Sequence, residues 1–316
     1  MVRRTTASGP GRPRKKGGAT PPRPSWLARR SSMPLIMGIL NATPDSFSGD
    51  GLFTDDAIFE GRGPYLDGVV ARAATLVAEG ADLLDVGGES TRPGAVPVSD
   101  DVELARVIPV IAALAARFDV PISVDTSSPV VMREAAAAGA ALINDVRALR
   151  RPGAMEAAAA TRLPVCLMHM QGDPGTMQAC PHYGDVVAEV RDFLAARVAA
   201  CGAAGMAPEL LLVDPGFGFG KTLAHNLALL RALSDIAPPG VPVVAGLSRK
   251  RMVGEITGRP VASRIHGSVA LALLAARQGA AVVRVHDVAA TADALKILAA
   301  VEHGSIAPGP FDESIQ

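Results

Sequence analysis

Two kinds of segment alternate along this chain. Short, almost purely apolar runs occupy positions 35–39, 82–86, 122–124, 141–143, 165–168, 210–213, 243–245 and 282–285. Runs of this kind, with no polar residue at every second place, suit strands covered on both faces, as in a parallel sheet. Between them lie segments with apolar positions at helical spacing, over 69–79, 102–117, 130–138, 186–200, 223–233, 263–277 and 289–301. Several reach a glycine just before the next run, at Gly80, Gly139, Gly205 and Gly279, where a left-handed residue would stop the helix. Eight strands alternating with helices over about 270 residues predict an α/β fold, a single (β/α)8 TIM barrel. A doubly wound open sheet is the alternative, because strand order is not visible in the pattern.

Composition refines this picture. The chain has 316 residues, 49% of them hydrophobic and only 3% aromatic, so its core is built from small aliphatic side chains that suit helices layered on a buried sheet. No run reaches the ~18 apolar residues of a membrane span, which argues against a membrane partner. Cys166, Cys180 and Cys201 match neither a zinc pattern nor a disulfide framework and fit a reducing cytoplasm. The net charge of zero hides an asymmetry: residues 1–32 carry Arg3, Arg4, Arg12, Arg14, Lys15, Lys16, Arg23, Arg29 and Arg30 and no acid. Rich also in Gly, Pro, Ser and Thr, that stretch is expected to be a disordered tail, followed by a catalytic domain over 33–303 and a second tail over 304–316. Its Gly11-Arg12-Pro13-Arg14 stretch is of the kind that enters a DNA minor groove. A solvated extension accounts for it without a nucleic-acid partner, and none is expected.

In a barrel of this kind the active site is assembled from the loops after the strands. Polar residues gather there after nearly every run: Asn41 to Ser48, Gly87 to Gly94, Asp125-Thr126, Asn144-Asp145, His169-Met170, Asp214 to Lys221, Ser248-Arg249-Lys250, and Arg284, His286 and Asp287. Single members of such a set have structural explanations. Asp125, before Thr126 and Pro129, and Asn144 could cap the following helices, and His286 could be a core histidine. Polar chemistry at every strand end is harder to assign to stability alone. Arg284 and His286 alternate on one strand end, so both can face the same opening.

The stretches GILNATPDSFSGDG, DLLDVGGESTRPGA, ISVDTSSP, INDV, VDPGFGFGK, GLSRK and RVHDV closely resemble the dihydropteroate synthases, in family order and over about residues 34 to 302. The resemblance implies a transferase of folate biosynthesis that condenses a pterin pyrophosphate with para-aminobenzoate. It implies that Asp214 accepts hydrogen bonds from the pterin edge, that Asp125 and Asn144 contact the ring, and that Lys250, with Ser248 nearby, lies by its carbonyl. Chemically, an amino group and ring N–H beside a carbonyl do suit a carboxylate and a cation, and analogues lacking them would be strongly rejected. Arg284 and His286 resemble the pair that contacts the phosphates, and Asn41 the ligand of Mg²⁺, an ion that keeps waters and needs few protein ligands. Thr91, Arg92 and Pro93 resemble the second loop and Phe219 an aromatic wall by the aminobenzoate, while Lys221 closes a glycine-rich turn that is not a P-loop.

Two departures from the commonest family pattern stand out. Arg251 follows Lys250 where many members have serine, although a backbone N–H at a helix start can still bind a carboxylate. The first loop reads Ser48-Gly49-Asp50-Gly51, and the residues after it run long. The sequence shows no Ser-His-Asp or Cys-His set, which fits a reaction without an enzyme nucleophile. In the family the bond to pyrophosphate breaks early and the amine captures the pterin methylene cation. Family members are often dimers, which implies a homodimer here. Competing readings are a pterin-binding barrel for methyl transfer from methyltetrahydrofolate, an inactive paralogue, and a nucleic-acid-associated protein led by its tail. The synthase reading requires the acids, Lys250 and the Arg284–His286 couple to meet around one cavity at one rim.

Overall fold

The apolar runs become strands because each can be covered on both sides, by helices outside and by its neighbours' side chains within. The computed structural model describes residues 24–28, 33–42, 63–89, 98–173 and 175–304. Eight strands form one parallel sheet: β1 Leu35–Asn41, β2 Leu83–Gly87, β3 Ile122–Asp125, β4 Leu142–Asp145, β5 Val165–Met168, β6 Leu211–Asp214, β7 Val244–Ala245 and β8 Val282–Val285. Their order is β6-β5-β4-β3-β2-β1-β8-β7. A parallel bridge between Val213 and Val243, with the Val213 N–H donating to Pro242 O at 3.0 Å, joins β6 to the start of β7. The open sheet is thereby ruled out and the barrel closes.

Helices lie between the strands: α1 Ser25–Ala28, α2 Gly63–Ala78, α3 Asp100–Ala115, α4 Pro129–Ala138, α5 Ala154–Thr161, α6 Val186–Ala203, α7 Leu223–Arg231, α8 Arg251–Thr257, α9 Ile265–Arg277 and α10 Val288–His303. Gly139 caps α4 at φ 110°, a left-handed conformation that a side chain would strain. α5, of sequence AMEAAAAT, is invisible to the periodicity because its alanines give no apolar–polar contrast.

Period-two alternation along the strands divides their side chains between two environments. Ile36, Leu84, Val124, Ile143, Leu167, Val213, Ala245 and Val283 belong to the large cluster shared with the helices. Met37, Leu83, Leu142, Cys166, Leu212, Val244 and Val282 form a separate cluster, the apolar floor inside the barrel. The residues two steps further along β2, β4, β6 and β8 are Asp85, Asn144, Asp214 and Arg284. A polar storey therefore stands directly on a dry one.

The basic tail is corrected in one place. Residues 1–23 and 29–32, Arg12 included, lie outside the described residues, but Ser25–Ala28 form a helical turn. Leu27, 7% exposed, packs into the floor cluster with Trp26 against it. Burial of these two apolar side chains against the floor favours the turn. Among the described residues no helix is long and apolar enough to cross a membrane.

Candidate active site

Arg284 is the centre of the polar storey. Its Nε donates to Asp85 Oδ2 at 2.6 Å and its Nη2 to Asp125 Oδ2 at 2.9 Å. Asn144 Nδ2 donates to the same Asp85 carboxylate, at 3.2 Å to Oδ2. Four strand ends, β2, β3, β4 and β8, are thus tied through one guanidinium. Burial opposes the charge on Arg284, but Asp85 and Asp125 outweigh it and hold the group protonated. Burial pushes Asp125 up, against the pull of Arg284 and with the push of Asp85. The pattern of residues after each strand does not reveal Asp85, which is 0% exposed. Its signal was a lone carboxylate inside an apolar run: an acid at that depth needs a cation.

Asp214 and Lys250 form the opposite side. Asp214 Oδ1 accepts from the Gly216 N–H at 2.7 Å, and burial pushes its carboxyl up while Lys250 pulls it down. Burial lowers Lys250 to about 8, with Asp214 opposing. The ammonium donates to Phe217 O and lies 4.7 Å from the centre of the Phe219 ring. A Cβ added at Gly246 would meet Asp214 Oδ2 and Lys250 Nζ at 3.8 Å each and Arg284 Cβ at 3.9 Å. Asp214, Lys250 and Arg284 therefore converge on one hollow, left open by a glycine.

Local sequence explains why the loops hold these positions. Gly216 and Gly220 have φ of 68° and 62°, and a side chain on either would collide with backbone oxygens, of His169 and Gln171 respectively. The β6 loop therefore lies flat on the β5 loop. Lys221, 3% exposed, locks the two together: its Nζ sits 2.9 Å from His169 Nδ1 and from Phe219 O. Burial keeps that lysine well below its ordinary value and lowers His169 to about 3. The β7 loop is pinned to the β8 loop by Arg249, which donates to both oxygens of Asp287 at 3.0 and 2.5 Å. Arg264 adds donors to Arg249 O and Lys250 O at 3.1 and 3.3 Å.

The remaining expected residues are placed as follows. Ser248 Oγ accepts from the His286 N–H at 3.2 Å and lies 3.1 Å from His286 Nδ1, so both follow neighbouring strands at the same rim. Asn41, half-buried, ends β1 beside Gly87, which in turn pairs with Asp125. Phe219 packs on Met168, Met170, Met177 and Val146. Arg251 opens α8, but its side chain is 80% exposed and donates to Glu255 at 2.7 Å. Thr91, Arg92, Pro93 and the first-loop stretch Ser48-Gly49-Asp50-Gly51 lie outside the described residues. No group of three or more His, Cys, Asp and Glu that could hold a metal occurs among the described residues.

Comparison with known proteins follows the same lines. Residues 37–286 match the family described as pterin binding enzyme. Dihydropteroate synthase of Escherichia coli K12 is 51% identical over 269 residues, covering 85% of this chain and 92% of that protein. The structure of the Xanthomonas albilineans dihydropteroate synthase with 4-aminobenzoic acid superposes with a TM-score of 0.78 at 54% identity, covering 86% of this chain and 94% of that one. The same protein in complex with 7,8-dihydropteroate gives a TM-score of 0.75 at 51% identity, with 86% and 94% covered.

Proposed function

The chain belongs to the pterin binding enzymes, among the dihydropteroate synthases, and from that premise we propose how its site performs the reaction. The enzyme joins 6-hydroxymethyl-7,8-dihydropterin pyrophosphate to para-aminobenzoate, releasing 7,8-dihydropteroate and pyrophosphate. The observation that carries the assignment of roles is the convergence of Asp214, Lys250 and Arg284 around Gly246.

In this reading the pterin enters the hollow edge-first. Asp214, held by the Gly216 N–H and faced by Lys250, accepts from the ring amino group and N–H, and Lys250 donates to the ring carbonyl. Asn144 and Asp125 line the far side, and Phe219 flanks the aminobenzoate. The C–O bond to pyrophosphate breaks with its electron pair leaving on the phosphate oxygen. The aminobenzoate nitrogen then bonds to the methylene carbon and releases its proton. Arg284 and His286 offer N–H donors to the departing group, and the Ser248 hydroxyl orients the His286 ring at Nδ1. No residue must act as a nucleophile, so the protein contributes position and a fixed field.

Asn41 is the residue that would hold Mg²⁺. Its amide oxygen suits an ion that takes the rest of its shell from phosphate oxygens and water. Bound there, the ion would neutralise charge on the pyrophosphate. Arg251 offers the backbone N–H of a helix start to the benzoate carboxylate, its guanidinium being turned to Glu255. Thr91, Arg92 and Pro93 belong to the aminobenzoate side by family resemblance alone. Lys221 acts by holding the loop that carries Phe219.

A homodimer is supported by the exposed apolar side chains of Ile256, Val261, Leu274, Ile297 and Val301, all carried by the segment from α8 to α10. A cytoplasmic setting is supported by three free cysteines and the lack of a membrane-crossing helix among the described residues. The deciding experiment measures pyrophosphate release with each substrate alone and with both. Release that requires both supports the synthase, and release with neither combination refutes it.

A further inference from the structure

Three consecutive residues after β7 reach in different directions. Ser248 Oγ meets the N–H and Nδ1 of His286, and Arg249 grips Asp287. Lys250 turns toward the β6 loop, its Nζ donating to Phe217 O and standing with Asp214 Oδ2 around Gly246. The backbone between them reverses. The Lys250 N–H donates to Leu247 O at 3.4 Å and closes a turn, in which Arg249 takes the third place with φ 57°. Lys250 itself is extended, at φ −63° and ψ 161°, and α8 starts directly after it. Positive φ at the third residue is the type II pattern, where glycine or asparagine is ordinary. An arginine there has its Cβ pressed against the following carbonyl oxygen, a strain that the surroundings must hold.

They hold it from three sides. The Arg249 N–H donates to Ser268 Oγ at 2.9 Å, and that hydroxyl donates in turn to Arg264 O at 2.7 Å. Ser268 lies on α9 and is buried. Arg264 Nη1 donates to Arg249 O and Lys250 O at 3.1 and 3.3 Å. Gly254 on α8 leaves room for that guanidinium, since a Cβ there would stand 2.2 Å from Arg264 Nη2. The Arg249 side chain completes the hold, with Nε and Nη2 on the two Asp287 oxygens at 3.0 and 2.5 Å. Both peptide groups beside the strained Cα and its side chain are therefore tied.

We propose that Arg249 is a positioning residue for pterin binding: kept left-handed by Asp287, Ser268 and Arg264, it aims the Lys250 ammonium into the hollow beside Asp214. The proposal rests on the assignment of Lys250 to the pterin carbonyl. Were residue 249 to relax to negative φ, the chain would leave the turn along a different path and carry Lys250 off the hollow. The fraction of protein competent to bind would fall, and apparent affinity with it.

The test compares Arg249→Ala with Arg249→Gly by titration calorimetry with the pterin pyrophosphate, well below the melting temperature of each. Both variants lose the guanidinium. Alanine keeps the strain and lacks the Asp287 tie, so it relaxes, whereas glycine takes positive φ freely. The glycine variant should bind about fivefold or more tighter than the alanine variant. A guanidinium serving as a plain strut between loops predicts no difference or the reverse order, because glycine loosens a chain more than alanine does. An alanine variant that binds as tightly as the glycine variant, or tighter, overturns the proposal. Should Arg249→Ala fail to fold, Ser268→Ala takes its place by removing the acceptor of the Arg249 N–H. It should weaken binding about fivefold in the parent and clearly less when combined with Arg249→Gly; equal losses in the two overturn the proposal. Lys250→Ala runs in parallel. Parental affinity there removes the assignment of Lys250 itself, whereas weakened binding there beside equal Arg249 variants removes only the part given to Arg249.

Discussion

Replacing Gly246 with alanine probes the place where Asp214, Lys250 and Arg284 meet. The added methyl would stand 3.8 Å from Asp214 Oδ2, 3.8 Å from Lys250 Nζ and 3.9 Å from Arg284 Cβ. These are ordinary contact distances, and Gly246 is not among the glycines with positive φ. The empty protein should therefore accept the change within about 0.5 kcal/mol, helped slightly by the stiffer unfolded chain. The bound pterin should not. Its edge has to reach Asp214 and Lys250 at hydrogen-bond distance simultaneously, and the methyl occupies the space between them. Crowding of one methyl in a filled pocket costs about 1–3 kcal/mol, a loss of roughly 5- to 150-fold in affinity at 1.4 kcal/mol per factor of ten. Titration calorimetry with the pterin pyrophosphate alone measures the loss, and thermal melting checks the fold. KM for para-aminobenzoate should change far less. A variant that melts normally and binds the pterin within about twofold of the parent would refute the placement of the ring between Asp214 and Lys250.

Other expectations are briefer. Arg284→Ala should lower turnover by about two orders of magnitude or more and also lower the melting temperature, because Asp85 and Asp125 lose the cation they share; steady-state kinetics and melting check both, and full turnover would remove Arg284 from the reaction. Lysine at that position should not restore the activity, since it cannot serve two carboxylates in a fixed fork. Chelation with EDTA should suppress turnover and added Mg²⁺ restore it, while indifference to the chelator would remove the ion from Asn41. His169, lowered to about 3 by burial from its ordinary 6.5, stays neutral in the folded protein while the unfolded chain takes up a proton below 6.5. Stability should therefore fall with pH through that window, by about 2 kcal/mol between pH 6.5 and roughly pH 5. Denaturant melts across that range should show a shallower dependence in His169→Gln, and an identical slope would contradict the neutral buried ring.

What could be read in the sequence followed from chemistry that is local along the chain. Bare apolar runs marked all eight strands, and polar residues after them marked Asp125, Asn144, Asp214, Lys250 and Arg284. Their meeting was an inference from barrel topology; the Gly246 contacts supply it for Asp214, Lys250 and Arg284, and the hydrogen bonds of Arg284 and Asp85 for Asp125 and Asn144. Asp85 escaped because it interrupts a run instead of following one, and its purpose depends on Arg284, 199 positions away. Arg249 and Asp287 stood in view, but their pairing joins two loops and has no trace in spacing. Leu27 was hidden in the opposite way: a basic, proline-rich setting masked two side chains whose burial is decided by the floor of the barrel.

That stopper has a bearing on traffic. With Leu27 and the ring of apolar side chains from seven strands filling the lower end, the cylinder is closed at that end among the described residues. In the proposed arrangement substrates and products share the other end, and a pterin held against Asp214 and Asn144 is seated before anything lodged nearer the brim. That proposed placement puts pterin first and the aromatic amine second.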